Sequence, residues 1–146
     1  MNAPDQPPKH SVSVAAALVD DDGRFLVIRR ADNGRWEPPG GVLELDESIE
    51  DGLVREVAEE TGLTVEPIAL TGVYKNMRRG IVALVFRCHI VSGMPRPTRE
   101  ADQVAWLTPN QLPRHMADAY RVRLLDALHH DSPPVVRQHD GTAILT

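Results

Sequence analysis

Between residues 55 and 60 of this chain an arginine and three glutamates fall close together: Arg55, Glu56, Glu59 and Glu60. On a helix Glu56 and Glu60 stand at i and i+4, stacked on one face with Glu59 beside them. Three carboxylates this close repel one another, and helix stability alone gives no reason to gather them. Hard oxygen ligands clustered in this way suit Mg²⁺ or Mn²⁺, ions that also bind phosphate oxygens. Arg55 precedes Glu59 by one helical turn and is placed to pair with it, fixing that carboxylate's orientation. Upstream, Gly40-Gly41 lets the backbone approach a metal or phosphate closely. Gly52 leaves the charged face of the first helical turn open, and Glu47 reaches the same region from the preceding loop. The plain alternative is a solvated acidic helix face with a routine Arg–Glu pair.

A helix must carry these groups, and residues 48–61 provide one. Ser48 is a suitable N-cap with Asp51 after it, and Gly62 stands where a left-handed residue ends a helix. At about 100° per residue, Ile49, Leu53, Val54, Val57, Ala58 and Thr61 share one half of the wheel. Arg55, Glu56, Glu59 and Glu60 share the other. Upstream, residues 11–19 read as a buried strand, Asp20-Asp21-Asp22-Gly23 as a turn, and residues 24–30 as the returning strand of a hairpin. Residues 31–40 are loop, followed by the short apolar pair Val42-Leu43. Downstream, residues 68–74 and 81–91 read as strands joined through Asn76, Arg78 and Gly80. Residues 103–107 read as a further strand, and 116–130 as a helix with Tyr120, Leu124, Leu125 and Leu128 inward. Strands, helix, strands, helix predict a mixed sheet covered by helices.

A length of 146 residues fits one domain with a single core. The expected division is a Pro-rich disordered leader over 1–10, the domain over 11–130, and a tail or small hairpin over 131–146. No apolar run approaches the roughly 20 residues that span a bilayer, and residues 1–10 lack the apolar core of a secretory signal. The single cysteine, Cys88, forms no internal disulfide, so a cytoplasmic protein is expected. A net charge of -5 argues against a nucleic-acid partner. An acidic chain that handles phosphates needs a metal between the two negative partners.

The spacing over a longer stretch is far more specific. Gly41, five residues, Glu47, seven residues and then Arg55-Glu56-Val57-Ala58-Glu59-Glu60-Thr61-Gly62-Leu63 resembles the Nudix box at every fixed position. Trp36-Glu37-Pro38-Pro39-Gly40-Gly41 resembles the family's entry to the box, and Gln103-Val104-Ala105-Trp106-Leu107 with Gln111-Leu112-Pro113 resembles its closing strand and short helix. The resemblance implies an α/β Nudix fold, a mixed β-sheet sandwiched between α-helices (an α/β/α sandwich). It implies a hydrolase that cuts a phosphoanhydride bond of a nucleoside diphosphate linked to another moiety, with Mg²⁺ or Mn²⁺ as cofactor. Carried over, Glu56, Glu59 and Glu60 are the metal ligands, aided by a backbone carbonyl near Gly40 or Gly41. The base that takes the water's proton is Glu59, Glu56 or Glu100, with Arg55 in support. Where the family often has Glu before its closing strand this chain has Gln103, and Glu100 is near enough to substitute. A homodimer is common in the resembling family.

Other residues carry weaker signals. Arg78 and Arg79 are candidates for holding phosphates, Trp36 and Tyr74 for stacking on a base, and Glu47 for substrate contact. Each also reads as a hairpin tip or an anchoring side chain. Cys88 on an apolar strand reads as core, and His129 and His130 as surface. Two alternatives share the fold: a non-catalytic nucleotide sensor, which would have lost box carboxylates, and a diphosphate isomerase, which needs a reactive cysteine near the metal.

Overall fold

The computed structural model describes residues 6–146, so the expected leader falls partly outside the described residues; residues 6–10 are exposed and lack regular structure. Strands β1 (Ser11–Leu18), β2 (Phe25–Arg30), β3 (Trp36–Glu37) and β4 (Gly40–Val42) precede helix α1 (Ile49–Thr61). Then come β5 (Thr64–Asn76), β6 (Ile81–Ser92), β7 (Ala101–Leu107), α2 (Asp118–Asp126) and β8 (Val135–His139). They build a five-stranded sheet, ordered β4-β1-β6-β5-β8, and a three-stranded sheet, β3-β2-β7.

Strand β1 shows why the fold is layered. Val14, Ala16 and Leu18 pack with Leu53 and Val57 of α1, whereas Ala15 and Ala17 pack with Leu124 of α2. Successive residues of a strand face opposite ways, so the two helices cover opposite faces. The result is the expected α/β/α arrangement. A strand buried on both sides reads as a continuous apolar run, which is what residues 14–18 supply.

The expected hairpin of the first two strands does not form. Only Val19 and Phe25 bridge, at the neck of the turn that Asp20 ties through its carboxylate to the Asp22 and Arg24 N–H groups. Both edges of β1 are occupied, by β4 antiparallel and by β6 parallel, so β2 turns away and pairs with β7. Strand β5 is longer than expected. It begins right after α1 and passes Pro67, which has no N–H to donate, by a register shift between Pro67 and Ala69. The C-terminal segment adds β8 parallel to β5, and His139 bridges Ile144 in a small return.

Helix α1 starts at Ser48, whose hydroxyl accepts from the Asp51 N–H at 3.1 Å, and ends on Gly62 with φ 78°. Its buried face differs from the expected one. Gly52, Leu53, Val57, Glu60 and Thr61 point inward, while Ile49 is 37% exposed and Ala58 is exposed. The stripe at 53, 57 and 60 follows i, i+4, i+7, which brings a carboxylate to the inner side. Helix α2 is shorter than the expected 116–130. Leu128, expected inward, is 41% exposed past its end, whereas Arg123 is 8% exposed.

Leu53→Ala is therefore expected to cost about 2–5 kcal/mol in chemical denaturation, and Ile49→Ala well under half of that. Equal losses would contradict the face assigned to α1.

Candidate active site

The site begins with two glycines of β4. A Cβ on Gly40 would overlap the Val14 carbonyl and Ala15 of the neighbouring strand, so β4 lies against β1 only because Gly40 has no side chain. A Cβ on Gly41 would run into the Glu56 carboxylate. Gly40 N–H donates to Glu60 Oε1 at 2.6 Å, joining the strand end to the last turn of α1. That backbone donor explains why Glu60 faces inward: a strand-end N–H needs an acceptor, and Glu60 supplies one.

Arg55 organises the other carboxylates. Its Nε and Nη2 donate to the two oxygens of Glu47 at 2.9 and 2.6 Å. Its Nη1 donates to Glu56 at 3.0 Å and to Glu59 at 3.3 Å. The expected Arg55–Glu59 pair exists, but it is the longest of these contacts. The two-pronged bond to Glu47 fixes the guanidinium plane. Glu47 also accepts the Glu44 N–H, and the Arg55 hydrogen bond, with this backbone donor, holds its carboxyl down to about 2. Glu47 is thus committed to Arg55, and the expectation of substrate contact is corrected to one of positioning. Gly52 is corrected too: a Cβ there would strike Leu43 and Glu47, so its role is to let the loop lie on the helix.

Ligand oxygens of Glu56, Glu59 and Glu100 lie within 4.8 Å of one another. Glu100 reaches this group from the turn before β7, held by its carbonyl accepting from Ala31 N–H at 2.9 Å. The cleft beside them, about 630 Å³, is bordered by Gly40, Gly41, Glu56, Glu60, Arg30 and Arg99. Burial is the main cause that raises the Glu56 carboxyl, opposed by Arg55 and reinforced by Glu59 and Glu100. Burial pushes Glu60 up to about 8, against the Gly40 hydrogen bond, with Glu37, Glu56 and Glu100 adding to the rise. Carboxylates this crowded favour a divalent cation among them.

The other expected site residues are dispersed. Tyr74 is fully buried and its hydroxyl donates to Asp126 at 2.8 Å, so no face is left for a base; that expectation is withdrawn. Trp36 is half-buried, edge-on to His115. Arg79 lines a second cavity behind β4, and Arg78 stays at the exposed hairpin tip. Cys88 is buried with its thiol pushed up to about 12 by burial, in the cluster under α1 and not in the carboxylate cleft. Sequence reasoning missed Arg30, Arg99, Arg123 and His139. For Arg123 a signal existed: it falls one turn after Tyr120 and beside Leu124, an arginine on an apolar helix face.

The NUDIX domain family description matches residues 9–128, and the chain belongs to the Nudix family. It is 59% identical over 139 residues to a MutT-like protein of Streptomyces ambofaciens, a match covering 95% of this chain and 90% of that protein. An ADP-ribose pyrophosphatase of Methanocaldococcus jannaschii is 28% identical over 120 residues, 77% of this chain and 71% of that one. The crystal structure of a MutT NUDIX hydrolase from Burkholderia pseudomallei superposes with a TM-score of 0.72 at 30% identity, covering 82% of this chain and 98% of that one. The chain is a Nudix-type pyrophosphatase, an enzyme of the hydrolase class.

Gly41→Ala is expected to leave the fold intact while displacing Glu56, lowering kcat by about 10²-fold. Circular dichroism with steady-state hydrolysis checks this, and unchanged kcat would mean that Glu56 needs no such close approach.

Proposed function

We propose that the chain uses Mg²⁺, with Mn²⁺ as a substitute, to hydrolyse a phosphoanhydride bond of a nucleoside diphosphate linked to a further group. One observation carries the reading: three carboxylates from α1 and the turn before β7 converge beside the glycine backbone of β4. The donor set fits the ion, being all hard oxygen, anionic and partly oriented before any ligand arrives. Glu56 and Glu59 would hold the ion, with Glu60 and the Gly40 or Gly41 carbonyl beside them. When bound, the ion neutralises phosphate charge and lowers the pKa of an attacking water.

The protein residues supply position and proton transfer. Arg55 holds Glu56 and Glu59 at fixed angles, and Glu47 holds Arg55. Glu100 takes part in no ion pair among the described residues and faces the cluster from a separate element, so it is the carboxylate that accepts the water's proton. Arg99 borders the cleft and meets the negative charge that spreads over phosphate oxygens in the transition state, while Arg30, at the same border, is held by Asp32 and Glu37. Products are a nucleoside monophosphate and either pyrophosphate or a phosphorylated group. No described helix is long and apolar enough to cross a membrane, and the one buried thiol suits a reducing cytoplasm.

A panel of nucleoside triphosphates, ADP-ribose, dinucleoside polyphosphates and nucleotide sugars, with Mg²⁺ and with Mn²⁺, tests the reading. Turnover of at least one class is expected, abolished by EDTA while the far-UV circular dichroism persists. Full activity in chelator, or no turnover of any class, would overturn it.

A further inference from the structure

Behind β4 lies a second cavity of about 280 Å³, sharing Arg30, Gly40, Gly41 and Val42 with the carboxylate cleft. Its charge is opposite to that of the carboxylate cluster. Three arginines, Arg30, Arg79 and Arg123, line it against a single carboxylate, Glu37, in a chain whose net charge is -5. Glu37 is already engaged by Arg30 at 3.1 Å. Arg79, which is exposed, and Arg123 take part in no ion pair among the described residues. Asn76, also on the lining, spends its side-chain oxygen on the Arg78 and Arg79 N–H groups at 3.0 and 3.2 Å, which leaves an amide donor.

Arg123 shows what the cavity lacks. It is nine-tenths buried, its guanidinium 4.7 Å from the Tyr120 ring centroid and 5.3 Å from that of Tyr74. Its Nε–H has no hydrogen-bond partner. Its Nη2 lies 3.2 Å from His139 Nε2, and Gly141 N–H donates to His139 Nδ1 at 2.9 Å. A backbone N–H only donates, so Nδ1 is the accepting nitrogen and the neutral ring carries its proton on Nε2. Burial and the Arg123 charge keep this ring neutral. Guanidinium and imidazole therefore face each other donor to donor. A buried cation left this way is costly unless an acceptor completes it. His139 belongs to β8, beyond the 9–128 stretch that the family description matches, so the family match does not supply this donor set.

We propose that this cavity receives a phosphate monoester carried by the part of the substrate that does not react, held by Arg123, His139 and Arg79. The proposal rests on the reading above that places the scissile diphosphate at the carboxylates, so the phosphate here is a second one. The shared border at Gly40, Gly41 and Val42 lets one molecule reach both places. A phosphate monoester carries a charge of about -1.5 to -2 at neutral pH, which balances the two arginines that have no ion-pair partner. Its three terminal oxygens can meet the Arg123 and His139 donors together, where a carboxylate offers two. Arginine–phosphate pairs are also among the stronger charge-assisted hydrogen bonds.

Two measurements test this. In the first, inorganic phosphate is titrated calorimetrically into the full chain in EDTA, with acetate as the comparison. Saturable phosphate binding is expected, weakened about tenfold or more in Arg123→Gln and in Arg79→Gln, and little changed in Arg99→Gln at the cleft. The second compares hydrolysis, with Mg²⁺, of diphosphate compounds that differ by one phosphate monoester: NADP⁺ against NAD⁺, and coenzyme A against dephospho-coenzyme A. In at least one pair the phosphorylated member is expected to show about tenfold higher kcat/KM or more, chiefly through KM, with the advantage lost in Arg123→Gln. No phosphate binding by the wild type, or acetate binding as tightly, overturns the proposal. So does binding that weakens in Arg99→Gln but survives Arg123→Gln with native circular dichroism; if Arg123→Gln does not fold, Arg79→Gln decides in its place. Hydrolysis with no preference in either pair overturns it as well and leaves the hydrolase reading standing. Absence of all hydrolysis, with Arg123-dependent phosphate binding intact, would instead overturn the hydrolase reading and leave the phosphate site standing.

Discussion

Mutual repulsion of carboxylates is the constraint on which the rest of this structure depends. Glu56, Glu59 and Glu100 bring oxygens within 4.8 Å of one another, and Glu60 is buried on the same helix. Near a protein surface, two like charges at such a distance oppose each other by roughly 4 kcal/mol before screening. An unliganded fold has to offset that cost. It does so with one guanidinium, Arg55, which touches Glu47, Glu56 and Glu59 together, and with the Gly40 N–H on Glu60. Both devices need close approach, and this accounts for the glycines: Gly40 against β1, Gly41 against Glu56, Gly52 against Glu47.

These local demands propagate outward. The strand that carries Gly40 and Gly41 is an edge strand paired to β1, whose residues 14–18 are buried on both faces of the larger sheet. Helix α1 is anchored on that sheet through Leu53 and Val57, which sets the height of Glu56 and Glu60 relative to β4. Glu100 comes from the second sheet, at the point where the Ala31 N–H binds its carbonyl. The carboxylate group therefore forms only when both sheets are in place, and activity reports on the whole fold.

What the sequence disclosed follows from how far apart the interacting residues are in the chain. The loop–helix–loop around Arg55 was legible because its contacts span a short stretch with fixed spacing, and the Ser48 and Gly62 caps bounded the helix to the residue. The inward turn of Glu60 was not, since a helical wheel ranks side chains by polarity and knows nothing of the Gly40 N–H waiting for an acceptor. The supposed hairpin of β1 and β2 failed for a similar reason: the competitor for β1, strand β6, begins at Ile81, far along the chain. Tyr74 was expected at the ligand and is instead sealed by Asp126. Arg123 and His139, from different elements, meet only once β8 has joined the sheet beyond β5.

The central claim is that the crowded carboxylates are a site for a divalent cation and not an incidental acidic surface. Mn²⁺ titration followed by electron paramagnetic resonance tests this without any assumption about substrate. Saturable uptake is expected in the wild type, weakened by about tenfold or more in Glu56→Gln through loss of one anionic ligand, and unaltered in Glu50→Gln, an exposed acid at the start of the same helix. Indistinguishable Mn²⁺ affinities in Glu56→Gln and Glu50→Gln would contradict the account.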